Sequence, residues 1–146
     1  MRLRTTLAAL SLAAAAFGQE IERIQPDGLT KPETYRHVVK VGSLLFIAGQ
    51  VSLDPEGNLV GEGDMKAQVR RVLENLKIAL ASQGADYSNI VKINIFTTSI
   101  DAFREAADVR AEYFAGHPPA STLVQIERLA RPEFLVEIEA IAALKE

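Results

Sequence analysis

PPASTLVQIERLARPEFLVEIEAIAAL, residues 118–144, is the stretch on which the fold turns. It reads as two buried strands, about 122–129 and 135–143, joined by a short turn. In the second, Glu137 and Glu139 stand two apart, so both side chains leave the same face. A buried carboxylate costs several kcal/mol unless it is paired or hydrogen-bonded. That face is therefore either solvated or the lining of a site.

Upstream, Pro118-Pro119 stops a helix predicted over 101–117, DAFREAADVRAEYFAGH, with Phe103, Ala106, Ala107, Tyr113 and Phe114 on one stripe. Before it, IVKINIFT (90–97) alternates as a strand. Val69, Val72, Leu73, Leu76 and Leu80 repeat at i, i+3, i+4, i+7 and i+11 and predict another helix, started by Asp64 and ended by Gly84. Arg70, Arg71, Glu74 and Lys77 on its other side read as a solvated face. DPEGNLVGEGD (54–64) is turn chemistry, and its lone G-x-G is loop punctuation rather than a phosphate cradle. YRHVVKVG (35–42) and LLFIAGQVS (44–52), linked by Gly42-Ser43, read as a hairpin after an irregular lead-in over 19–32. With a short strand at IERI the order is β-β-β-α-β-α-β-β. A sheet with two helices on one face is the economical packing. The first helix is long enough to cross over to a parallel neighbour.

The first 18 residues form a separate object. MRLRTTLAALSLAAAAFG has a basic start, an apolar run over 5–16 and small residues before Gln19, the layout of a secretory signal. The rival reading, an Ala-rich helix, lacks a polar face. The division is thus a signal at 1–18 and one domain at 19–146, with a periplasmic or secreted product. No other run approaches the roughly 20 apolar residues of a membrane span. At 48% apolar and 24% charged residues the chain as a whole has a globular composition. With no cysteine, disulfides, thiol nucleophiles and thiolate ligands are excluded. Removing Arg2 and Arg4 leaves 14 basic residues against 19 acidic, a net charge of −5 that argues against a nucleic-acid partner.

Few residues offer chemistry. His37 and His117 lie far apart, without metal-ligand spacing, so no metal site is expected. His37 reads as a packed, hydrogen-bonded strand residue and His117 as a helix-end stabiliser. No serine has a G-x-S-x-G setting. Glu137 and Glu139 remain.

Their setting carries a resemblance. Residues 118–142 are similar to the C-terminal signature of the Rid family (RidA, also called YjgF or L-PSP), roughly P-A-R-S-x-V-x-V-x-x-L followed by V-E-I-E-A-I-A. Tyr35, His37, Gln68, Leu76 and NIVKINIFTTSIDAF match in order, so the resemblance covers about 33–144. It implies an α+β, chorismate-mutase-like fold and a homotrimer with small-molecule clefts between subunits. It also implies cofactor-free hydrolysis of 2-imino acids to 2-keto acids and ammonia. Within that cleft, the resemblance makes Glu137 the residue that holds water and Tyr35 its catalytic neighbour. Backbone near Gly49 and Leu123 completes the pocket, and Glu139 is structural.

One departure is sharp. The family arginine that grips the substrate carboxylate aligns with Ser121. Loss of such a contact costs about 2–5 kcal/mol. Leu123 replaces a common cysteine and Ala107 a frequent asparagine, so the pocket is less polar than the family's. Arg36, Arg128 and Arg131 are read as surface residues rather than substitutes. The expected function is an imine or enamine hydrolase of altered specificity, weak on ordinary 2-imino acids. The alternative is a trimeric binding protein without catalysis. RNA cleavage, also linked to the family, ranks third because the mature chain is acidic.

Overall fold

The computed structural model describes residues 20–145; the segment read as a signal, 1–18, lies outside the described residues. Its elements are β1 (Ile21–Ile24), β2 (Val38–Val41), β3 (Leu44–Gln50), α1 (Met65–Ala81), β4 (Ile90–Thr97), α2 (Ile100–Glu105), α3 (Ala107–Phe114), β5 (Ala120–Gln125) and β6 (Val136–Ala143). The strands form one sheet in the order β1-β2-β3-β6-β4-β5. The helices cover one of its faces, and the fold is α+β.

Local chemistry accounts for most of these elements. The β2–β3 hairpin closes through Gly42, at φ +58°, with Val41 opposite Leu44. Glycine meets that first-position demand of a two-residue turn without strain. Asp64 caps α1 by accepting from the Ala67 N–H at 3.0 Å, and the apolar stripe of α1 is fully buried against β3 and β6. Val38, Leu45, Ile47, Ile93, Ile95, Val136 and Ile138 supply the sheet side of that core.

Three expectations need correction. Strands β5 and β6 are not a hairpin. Strand β6 inserts between β3 and β4, antiparallel to both, while β5 pairs parallel to β4 at the sheet edge. The parallel crossover is therefore made by α2 and α3; α1 connects strands that β6 separates. This arrangement gives β6, the most regularly alternating strand, backbone partners on both sides.

The second predicted helix is two helices. At Ala106 (φ −90°, ψ 19°) the chain makes an i→i−3 bond to Phe103 O. That local tightening lets Phe103, Ala106 and Val109, spaced by three, all be fully buried. Val109, not Ala107, joins the stripe, and the helix ends at Phe114.

Nor is the charged side of α1 simply solvated. Arg70 forks onto Glu112 of α3, Arg71 Nε donates to Leu53 O at 2.8 Å, and Glu74 accepts from the Tyr113 hydroxyl.

Candidate active site

Glu137 gains its position from β6 and from an irregularity in its neighbour. Ile47 pairs with Ala140 and Gln50 with Ile138, so three steps along β3 answer two along β6. This bulge at Ala48–Gly49 brings the Gly49 backbone against the Glu137 carboxylate. A Cβ added to Gly49 would lie 1.8 Å from Glu137 Oε1. A side chain at position 49 would have to push the Glu137 carboxylate out of this place.

A recess of about 430 Å³ opens at this point, lined by Tyr35, Gly49, Val51, Arg131, Phe134 and Glu137. The chain on either side is pinned from α1. Asn75 Nδ2 donates to Val51 O and Leu53 O, each at 3.0 Å. The buried Gln68 donates to Glu133 O at 2.9 Å and accepts from the Leu135 N–H at 2.9 Å, fixing the approach to β6.

Behind Tyr35 lies a buried chain of hydrogen bonds. Gln50 Nε2 donates to Ala48 O at 2.8 Å, which fixes its amide, and to His37 Nδ1 at 3.1 Å. His37 Nδ1 is thus an acceptor, so Nε2 carries the proton and donates to Thr30 O at 3.0 Å. Burial holds the His37 pKa below its ordinary value and keeps the ring neutral. The Tyr35 ring stands edge-on to His37, centroids 5.5 Å apart.

Burial, and next the charge of Glu137, push the Tyr35 phenol upward, so it stays protonated. Burial, and next Glu139, raise the Glu137 carboxyl above its usual range. A carboxylate whose proton affinity is raised, beside a neutral phenol, can take a proton from water while the phenol donates a hydrogen bond. Glu139 differs: Asn94 Nδ2 donates to its Oε1 at 2.8 Å, which ties it to the sheet.

The sequence-derived residues thus fall into two groups. Tyr35, Gly49 and Glu137 share the recess. Ser121 and Leu123 lie beside Ile93 and Ile95 in the β4–β5 register, on the helix-covered side of the sheet. Ser121 borders a second recess of about 540 Å³ with Ala107, Arg110, Phe114, Pro118 and Pro119. Leu123 packs on the core. A single chain does not bring the groups together. Arg131, read from sequence as a surface residue, is exposed but also lines the Glu137 recess. Arg110 was missed, although it shares a helix face with Ala107 and Phe114 at i−3 and i+4. Among the described residues no group of three His, Cys, Asp or Glu is placed to hold a metal ion.

This fold, with a glycine-backed carboxylate on the open sheet face, defines a YjgF-type protein. Residues 28–144 match the family described as endoribonuclease L-PSP. The chain belongs to that family, which is the Rid family. A RutC family protein of Pyrococcus abyssi is 38% identical over 108 residues, 74% of this chain and 84% of the relative. Mouse 2-iminobutanoate/2-iminopropanoate deaminase is 33% identical over 108 residues, 74% and 79% of the two chains. The solved Rid-family protein YyfA of Yersinia pestis superposes with a TM-score of 0.80 at 31% identity, covering 86% of this chain and all of that one.

Proposed function

We propose that this protein is an exported, cofactor-free imine or enamine hydrolase whose specificity departs from that of the 2-imino acid deaminases. The observation that carries the reading is the Gly49–Glu137 approach: a half-buried carboxylate of raised pKa seated against the Gly49 backbone, where a side chain would displace it. Glu137 takes a proton from water as the water oxygen bonds the imine carbon. It returns that proton to nitrogen to give a carbinolamine, then carries the carbinolamine hydroxyl proton to nitrogen as the C–O bond becomes a carbonyl and the C–N bond breaks, releasing ammonia. Tyr35, neutral beside it, holds the adduct by hydrogen bonding.

Assembly into a homotrimer joins the two recesses between neighbouring chains, one contributing Ser121 and Leu123, the next Tyr35, Gly49 and Glu137. The uncovered sheet face supports this, because Leu44, Phe46 and Val124 stay about 40% exposed on it. Ser121, neutral where the family has arginine, supports the altered specificity and also favours the second reading, a trimeric small-molecule binder without turnover.

The test uses 2-iminopropanoate generated in situ by an amino-acid oxidase. Weak wild-type turnover is expected, abolished in Glu137→Gln with folding intact and raised at least about 30-fold in Ser121→Arg. A Glu137→Gln variant as active as wild type rejects the hydrolase. Loss of ligand affinity alone in that variant selects the binder.

A further inference from the structure

The recess beside Ser121 holds a cation of its own. Arg110 of α3 lines it, between Ala107 one turn before and Phe114 one turn after. The Arg110 Nε is buried without a hydrogen-bond partner. Its guanidinium carbon lies 4.8 Å from the centroid of the Phe103 ring, which steadies the plane of the group. Among the described residues no carboxylate pairs with it. The acids on its own helix are committed elsewhere, Asp108 to Lys66 and Glu112 to Arg70. Burial accordingly lowers the Arg110 pKa with no neighbouring charge to offset it.

A partly buried guanidinium with an orphaned donor is costly unless an anion completes it. Arg131, the cation of the Glu137 recess, is differently placed: it is exposed, stacks 5.3 Å over Phe134, and has Glu133 Oε1 at 3.8 Å as a counter-charge. The Ser121 recess is otherwise apolar, with Ala107, Phe114, Pro118 and Pro119 on its walls. Its volume suits a small molecule.

We propose that Arg110 is the carboxylate-binding residue of this protein, so that the guanidinium absent from strand position 121 is supplied by helix α3. The ligand class is a small 2-oxo or 2-imino acid. Its carboxylate meets the Arg110 fork and the Ser121 hydroxyl, and its alkyl chain lies on Ala107 and Phe114. The carboxylate subsite is moved, not lost, which shifts preference between acids rather than abolishing it. The choice of ligand rests on the hydrolase reading; the unpartnered cation does not.

Calorimetric titration of the purified protein with 2-oxobutanoate, and with uncharged 2-butanone, tests this. Arg110→Met is expected to weaken 2-oxobutanoate binding about 10- to 100-fold and leave 2-butanone unchanged, with Arg110→Lys recovering part of the loss. In wild type, the Arg110 Nε–H resonance shifts on adding 2-oxobutanoate and not 2-butanone, a readout that needs no variant to fold. Absence of wild-type binding, an unmoved resonance, or loss in Arg131→Met in place of Arg110→Met overturns the proposal. Arg110-dependent binding without turnover of any imine supports it while rejecting the hydrolase.

Discussion

Strand β6 has two rows of side chains with opposite fates. Val136, Ile138, Ala140 and Ala142 are sealed beneath the helices, at most 4% exposed. Glu137, Glu139, Ile141 and Ala143 leave the other face, where no helix of the described chain covers them. The first row meets Leu73 and Leu76 of α1 in one apolar cluster. The second meets a bulge, an asparagine and a recess. The difference teaches that one alternating strand can carry stability on one side and chemistry on the other. A substitution's effect should therefore depend on the parity of its position more than on its place along the strand.

The largest effect should fall on the sealed row. Ile138→Ala is expected to cost about 2–5 kcal/mol in urea unfolding; a loss below 1 kcal/mol would break the contrast. Gly49→Val comes next, since its first side-chain carbon collides with Glu137. About 1–3 kcal/mol of stability should go, with turnover or ligand binding lost together. Phe46→Ala, on β3 beside Ile141, probes the open face. In a chain that stays monomeric its melting temperature should barely move, whereas in a trimer it should fall and become dependent on protein concentration.

The smallest effect is pH-linked. The folded pKa of Glu137 lies above its unfolded value, so the native state holds that proton more tightly and stability declines as pH rises through that interval. Glu137→Gln should remove this decline and raise the melting temperature at pH 7 by no more than about 3 °C, with no gain at pH 4. Under the proposed hydrolase mechanism activity should run the other way, since water activation needs the ionised carboxylate and should fall as pH drops through the raised Glu137 pKa.

Helix α1, the Gly42-Ser43 turn and the alternation of β6 were legible because each follows from neighbours a few residues apart. Glu137 was legible as one of two carboxylates on a face, and the resemblance to the Rid signature selected it over Glu139. The Asn94 bond that makes Glu139 structural spans two strands and had no local sign. The break at Ala106 was hidden for a related reason. Alanine favours helix, and only the joint burial of Phe103 and Val109 makes the tighter turn worthwhile.

By itself, then, the sequence determined most of the elements, the family and the parity that puts Glu137 and Ile138 on opposite faces, since these depend on short-range periodicity and motif. Tertiary structure decided that β6 lies between β3 and β4, that a bulge sets Gly49 against Glu137, and that Arg110 and Ser121 border one recess. Those are pairings between residues far apart in the chain. Their energies arise from burial and steric fit across elements, which no local pattern encodes.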